Sequence, residues 1–505
     1  MIQNLHLILL SVVLPIVLLA LMVKLTKSEK GVYSSTISMY VLATILSLVP
    51  VALNGFTSTY YDGSFLSANY IGVFDFQVNI ITYPIAITVL VLSMLTAYYS
   101  YPYMTSRLRA EGRETKTELS IFYFLLFMFT LSIYASILST NLLEFYLFLE
   151  ISLITSFILV NNYGYNDKRK VSLIYLVWTH VGAVLFLVGS LILGIYAATF
   201  DVYSGYASLK NIAQYIPSSV LAWSFYLIMI GLLVKSASFG FHLWLPYAYA
   251  EAPTPVSMAM SALFTGIAPY AIFRFVIPVF PSMFASFSKY LALWAAVSMI
   301  YGGLNALYES DFRRFLSYSS ISQMGYLLLA VSTNSIYGYV GLLLHYISHA
   351  FGKELLFGSS GSMMLSLDGA RDMRKMGGFS KVMPITANMA LIGFFSISGM
   401  PPTIGFWSEL FILRGAVDAF WGMGKFGATV LALIFIGFSL TIAYSFYNYK
   451  RVFHGPYLNE KRDVRENMTI VLSLIIVSLL AILMFIIAPA YSNALITFIG
   501  GVSAQ

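Results

Sequence analysis

Fourteen runs of roughly twenty predominantly apolar residues follow one another along this chain of 505 residues. They lie near 5–23, 33–54, 78–100, 119–139, 142–162, 171–199, 219–246, 254–280, 287–307, 317–332, 336–364, 384–420, 427–449 and 468–490. A helix rises about 1.5 Å per residue, so about twenty residues cross a hydrocarbon core of about 30 Å. Inside that core each backbone N–H and C=O must be satisfied within the segment, and helices meet that demand at this run length. The expected fold is an all-α polytopic membrane protein with about 14 transmembrane helices. Composition excludes the rivals. Hydrophobic residues make up 59% and charged residues 10%, against about 25% charged in soluble domains. A secreted, cytosolic or disordered chain is thereby ruled out. The absence of cysteine removes disulfides, iron–sulfur ligation and cysteine-based zinc sites. The first run lacks a basic leader and a small-residue cleavage site, so it reads as a retained helix.

Two runs carry breaks. The seventh contains Gly231 and Gly240 before Pro246, and the twelfth is interrupted by Gly399-Met400-Pro401-Pro402. Proline removes a donor and clashes with the preceding turn. Irregular backbone at membrane depth survives only inside protein or beside water, so both breaks point to function. Orientation follows from Lys and Arg. Of the 28, twenty-one fall in the loops after spans one, three, five, nine, eleven and thirteen. Lys210, Lys289 and Lys425 are the three on the opposite side. The basic loops are expected to face the cytoplasm and both termini the outer side. The net charge of +7 is this bias and not a nucleic-acid footprint.

A charge at the bilayer centre costs about 2.5–3.5 kcal/mol on insertion scales and commonly marks an ion or proton path. The candidates are Glu144 and Glu150 in span five, His180 in span six, and Lys235 and His242 in span seven. Arg274 lies in span eight, His345, His349, Lys353 and Glu354 in span eleven, and Glu409, Arg414 and Asp418 in span twelve. Glu150 is deep, with no local countercharge, and needs a partner on another helix. Lys235 is equally deep and stands just before the first break. The two are expected to pair, either in proton handling or as a structural ion pair. Glu144 lies near the outer end, where it joins a path or snorkels to the interface. His345, His349 and Lys353, at i, i+4 and i+8, share one helix face. They read as a proton wire or as a polar seam. Glu354 points elsewhere and reads as structural. Glu409 follows the second break. Arg414 and Asp418 can pair with each other, and Arg274 reads as structural. A bis-histidine haem on His180, His242, His345 and His349 would need facing ligands and small residues around the ring, and no feature of the sequence enforces that.

Three stretches carry a resemblance. They are Lys235-Ser-Ala-Ser-Phe-Gly-Phe-His242-Leu-Trp244-Leu-Pro246-Tyr-Ala-Tyr-Ala-Glu-Ala252-Pro253-Thr254-Pro255-Val-Ser257, Asp311-Phe-Arg313-Arg314-Phe-Leu-Ser-Tyr318-Ser319-Ser320-Ile-Ser322-Gln323-Met324-Gly325, and Gly399-Met-Pro-Pro402-Thr-Ile-Gly405-Phe406-Trp-Ser-Glu409. Together, over about residues 70–455, the chain resembles the antiporter-like membrane subunits of respiratory complex I, with relatives in membrane-bound hydrogenases and Mrp sodium/proton antiporters. The resemblance implies two inverted five-helix repeats, helices 4–8 and 9–13, with helices 7 and 12 broken. It divides the chain into 1–117, 118–280, 281–455 and 456–505. It matches the family's functional residues to Glu150, Lys235, His349, Lys353 and Glu409, with Glu144, His180, His242 and His345 in support. A glutamate at 409, where most relatives place lysine, is similar to the M-type chain, called subunit 4 in mitochondria. The end of the chain soon after span fourteen, without a long lateral helix, agrees with that type. Two departures stand out. Leu263-Phe264-Thr265-Gly266 occupies the region of a bridging lysine, and Gln323 stands where histidine is frequent. The route between half-channels is then expected to run through His180, Thr265 or bound water.

The implied function is proton translocation in a NADH (or other donor):quinone oxidoreductase. No cofactor is expected in this chain. Flavin, iron–sulfur clusters and quinone belong to partner subunits, namely a peripheral redox arm, a quinone-site subunit and further antiporter-like chains in the cell membrane. The alternatives are a Mrp-type or hydrogenase subunit, and a non-pumping scaffold. The electron donor stays open.

Overall fold

The computed structural model describes residues 6–55, 58–62, 66–68, 70–203, 208–367, 369–456 and 465–503. All fourteen apolar runs are helical. The first six are α1 (Leu7–Leu25), α2 (Glu29–Asn54), α3 (Tyr83–Ala110), α4 (Thr115–Leu138), α5 (Leu142–Tyr163) and α6 (Lys168–Ala197). The seventh is split into α7 (Ser218–Lys235) and α8 (Trp244–Glu251). Then come α9 (Thr254–Val279), α10 (Pro281–Tyr308), α11 (Phe312–Ser332) and α12 (Ile336–Ser366). The twelfth run is split into α13 (Pro384–Ile397) and α14 (Ile404–Phe420), followed by α15 (Gly424–Phe453) and α16 (Met468–Ser503). The protein is a multi-pass, all-α membrane protein. Between α2 and α3, β1 (Tyr60–Tyr61) pairs with β4 (Gln77–Val78) and encloses the ladder of β2 (Leu66–Ala68) with β3 (Gly72–Phe74), both antiparallel.

Local chemistry sets the helix ends. Ser28, Asn141, Asp311 and Ser335 cap α2, α5, α11 and α12 by accepting N–H bonds from the first turn. Proline opens α10 and α13, where its missing donor is not needed. α16 runs past the expected end at 490. Pro489 lies within it, and Tyr491 Oη anchors the continuation by donating to Ile80 O at 3.1 Å.

Among the described residues, eleven spans are long and apolar enough to cross a membrane unaided. The exceptions are the serine-rich α11, the ionisable α12 and the split α13/α14. α11 and α12 are buried along nearly their whole length. A polar helix is tolerated when neighbouring helices, and not lipid, surround it. α12 packs on α3, α9, α11, α13, α14 and α16. Its glycines allow close approach; a Cβ on Gly341 would lie 2.8 Å from Ile412 N, and one on Gly352 3.2 Å from Gly393 O.

Helices α4–α9 and α10–α15 each contain one broken helix in fourth place. α4 packs on α5 as α10 does on α11, and α6 on α7 as α12 does on α14. The carbonyls freed at the breaks are satisfied by side chains. In the first, Ser236 and Ser238 hydroxyls donate to Leu233 O at 2.9 and 3.2 Å, and Trp244 Nε1 donates to Val234 O at 3.4 Å. In the second, Gln323 Nε2 donates to Ile397 O at 3.0 Å and Ser348 Oγ to Ser396 O at 2.9 Å. Gln323 thus pins the end of α13 from α11. Gly240 and Gly399 adopt φ of 88° and 65° at the breaks, in the region that disfavours side chains.

Candidate functional site

Lys235 ends α7 and is 6% exposed. Its Nζ has no hydrogen-bond partner among the described residues and lies 5.0 Å from the centre of the Phe264 ring. Glu150 is within electrostatic reach of Lys235, and no direct hydrogen bond joins the two among the described residues. Glu150 Oε2 bonds to His180 Nδ1 at 3.0 Å, while Oε1 has no partner among the described residues. Sequence fixes the depth of each residue and not its direction around the helix. α6, packed on α5, brings His180 to the carboxylate first. The His180 side chain is half exposed, on the flank of the molecule.

Phe264 belongs to a widened turn of α9, Met260–Phe264, with i→i+5 geometry. This is the region that lacks the bridging lysine. Thr265 Oγ1 donates to Ser261 O at 3.0 Å, and Ser261 Oγ meets Ser320 Oγ of α11 at 3.1 Å. The neighbouring Ser319 Oγ accepts from Lys353 Nζ at 2.6 Å, and Leu316 O accepts from it at 2.9 Å. Hydroxyls of the α9 turn that carries Phe264, beside Lys235, thus meet those of α11, beside Lys353. Ser261, Ser319 and Ser320 had no assigned role in the sequence reading, although two of them stand in a quoted motif.

The histidines on α12 are fully enclosed. His349 Nε2 has no partner among the described residues. His345 Nδ1 bonds to Ser408 Oγ at 3.0 Å, and its ring stacks on Tyr326 at 5.2 Å. Ser408 precedes Glu409 on α14. The Glu409 carboxylate packs against the second break, so closely that a Cβ on Gly399 would sit 2.3 Å from Oε2. Its Oε1 has no partner among the described residues, and Tyr326 and Tyr444 are its electrostatic neighbours. Lys353 turns toward α11 and makes no ion pair with Glu409. His242 lies in the first break, with Nε2 2.9 Å from Tyr301 Oη on α10. Among the described residues no three His, Cys, Asp or Glu converge as a metal site would require.

Two structural readings hold. Arg414 Nε meets Asp418 Oδ2 at 2.9 Å on the exposed face of α14. Arg274 Nη1 donates to Gln77 Oε1 at 2.6 Å, under the Tyr203 ring. Snorkelling by Glu144 does not occur. Its side chain is buried, 1% exposed, and accepts from Thr140 N at 3.3 Å. The strand-bearing segment before α3 covers it, which helix periodicity alone does not reveal. Asp75 in that segment is also buried, with burial and then Asp62 and Asp201 pushing its carboxyl up to about 7. Ionising it therefore weighs against the folded state. The penalty is absent below about pH 4, grows as pH rises toward 7, and is constant above. Asp75→Asn should raise Tm at pH 8, with the gain shrinking toward pH 5. Equal differences at both pH values in thermal unfolding of the purified protein would contradict this.

A second cluster missed by sequence joins the two halves on the basic-loop side. Arg371 meets Glu251 Oε1 at 2.7 Å and Asp311 Oδ2 at 2.7 Å. These residues lie at the ends of different elements, where spacing carries no signal.

Two broken helices flanking a row of ionisable groups at membrane depth give the chain the architecture of the antiporter-like class of membrane subunits. Residues 139–437 match the family described as NADH:quinone oxidoreductase/Mrp antiporter, TM, and the chain belongs to that family. It is 33% identical over 419 residues to NAD(P)H-quinone oxidoreductase subunit 5 of the organellar chromatophore of Paulinella chromatophora. That match takes in 79% of this chain and 59% of the relative, so the chain spans about three fifths of that relative's length. It is 29% identical over 372 residues to F420H2 dehydrogenase subunit M of Methanosarcina mazei, covering 72% of each. A chain in the structure of respiratory complex I from Thermus thermophilus with bound NADH superposes with a TM-score of 0.80 at 22% identity, over 97% of this chain and 98% of that one. That likeness concerns the fold.

Proposed function

We propose that this chain is a proton-translocating, M-type-like subunit of a complex I-type redox-driven pump, with its basic loops in the cytoplasm and both termini outside. The observation that carries the reading is the row of ionisable and hydroxyl groups set between the two breaks, mostly buried, with His180 half exposed at its flank. Glu150 and His180 stand at one end, followed by Lys235, the serines Ser261, Ser320 and Ser319, and Lys353. His349 and His345 lead on to Ser408 and Glu409. Redox chemistry, with flavin, iron–sulfur clusters and quinone, belongs to partner subunits, and this chain contributes proton carriers alone. A nearby carboxylate favours a protonated lysine, and weakening that influence releases the proton. Moving one charge against 100 mV requires about 2.3 kcal/mol, less than two pKa units at about 1.36 kcal/mol each. Modest rearrangement of charge around Glu150 and Lys235 therefore suffices.

The test is purification of the native complex followed by reconstitution into vesicles. Iron–sulfur and quinone-binding chains should co-purify, and electron-donor oxidation should drive protonophore-sensitive proton uptake. Sodium/proton exchange from a complex lacking redox chains would overturn this reading in favour of a Mrp-type exchanger.

A further inference from the structure

Glu354 stands one residue beyond Lys353, and the proton axis above does not use it. Its side chain faces α3, where Thr96 Oγ1 donates to Oε1. Oε2 is fully buried and has no partner among the described residues. A purely structural buried acid is normally satisfied at both oxygens. Toward the basic-loop end of α3, Thr96, Tyr99, Tyr103 and Arg107 follow at intervals of three, four and four, which is one helix face. Tyr99 Oη donates to Gly358 O on α12 at 2.8 Å, and its ring lies 5.8 Å from that of Tyr103. Tyr103 Oη is hydrogen-bonded to Tyr165 Oη and accepts from Thr254 Oγ1 at 2.9 Å. Glycine leaves the room for this row; a Cβ on Gly361 would come 2.4 Å from Tyr99 Oη.

Tyr103 and Tyr165 line a cavity of about 500 Å³ at the basic-loop face, with Arg107, Asn166 and Arg371 also in its walls. The guanidinium groups of Arg107 and Arg313 lie 4.1 and 5.2 Å from the centre of the Tyr165 ring and hold it in place. At about 1.5 Å per residue, the eleven residues from Thr96 to Arg107 span about 16 Å, roughly half of the hydrocarbon core.

We propose that this row is a proton inlet from the basic-loop side, ending at Glu354 as its loading acid. The inference rests on the reading of the chain as a proton pump. Tyr165 and Tyr103 each accept a proton on the hydroxyl oxygen and pass their own onward, so each ends unchanged; water from the cavity then carries the proton past Tyr99, whose own hydroxyl proton is held by Gly358 O. The proton comes to rest on the Glu354 carboxylate. Neutralising that charge one residue from Lys353 loosens the ammonium's hold on its own proton, which feeds the axis through Ser319.

The experiment uses the whole complex in vesicles. Glu354→Gln keeps the volume and the Thr96 bond. It should lower proton translocation several-fold at unchanged assembly and remove a protonated-carboxyl C=O band from the infrared difference spectrum. Tyr103→Phe should keep that band but slow its hydrogen/deuterium exchange about tenfold, and it serves as the second variant should Glu354→Gln fail to assemble. Unchanged pumping and an unchanged spectrum in Glu354→Gln overturn the inlet. Lys235→Ala, measured in parallel, separates the two readings. Loss of pumping there with none in Glu354→Gln removes the inlet and leaves the axis standing, whereas normal pumping in both removes the pump.

Discussion

Lys235→Ala is expected to reduce proton translocation by about tenfold or more while the complex still assembles. The size follows from the loss of a proton-handling group, which typically changes rates by about a hundredfold to ten-thousandfold; leakage through neighbouring groups sets the lower bound. The assembly expectation follows from geometry. Lys235 Nζ bonds to no described residue, and Glu150 already has His180. Truncation therefore breaks no direct ion pair. The cavity it leaves destabilises, while removing a buried charge stabilises, and the two oppose each other. The measurement is donor-driven acidification or alkalinisation of vesicles, set against electron-transfer rate and subunit content. A non-pumping scaffold predicts unchanged translocation. A fully active, correctly assembled Lys235→Ala complex would take the residue out of the mechanism.

The legible and illegible parts of this protein divide along physical lines. Membrane spans are legible because the bilayer demands about twenty apolar residues in a row, and all fourteen runs are helical. The breaks are legible because Gly240, Gly399 and Pro402 cannot continue a regular helix. The depth of Glu150, Lys235, His349 and Lys353 is equally plain from position within a run. Azimuth is not, and so position within the runs does not reveal that His180 reaches the Glu150 carboxylate directly. The serines of α9 and α11 were silent for another reason. Most intramembrane serines bond to their own helix, as Ser317 does to Arg313 O. Ser319 and Ser320 do so too, donating to Leu316 O at 2.8 and 3.1 Å, and only the approach of α11 to α9 and α12 adds Lys353 and Ser261 as their further partners. The burial of Glu144 depends on a segment outside the helices, and the Arg371 clamp on contacts between chain segments far apart in sequence.

Glu409→Gln is expected to reduce pumping severely, and Glu409→Asp to retain part of it. Glu409 lies at the second break, where its carboxylate packs against the backbone of Gly399. Next to it, Ser408 holds His345, the last histidine of the α12 stripe, and Tyr326 stacks on that histidine. On the proposed path, a proton arriving along α12 would reach the second break beside Glu409 and leave from there. Glutamine fills the same space and keeps the hydrogen-bonding capacity, but it cannot take up and release a proton. Aspartate keeps the ionisable group with one methylene less, so it remains competent at a less favourable distance. The opposing reading is that Glu409 only pins α14 to the break. Packing against Gly399 depends on shape, which glutamine preserves and aspartate does not, so that reading predicts the reverse order, with glutamine near normal and aspartate impaired. Translocation rates of the two variants in reconstituted complex, each corrected for assembly, decide between them.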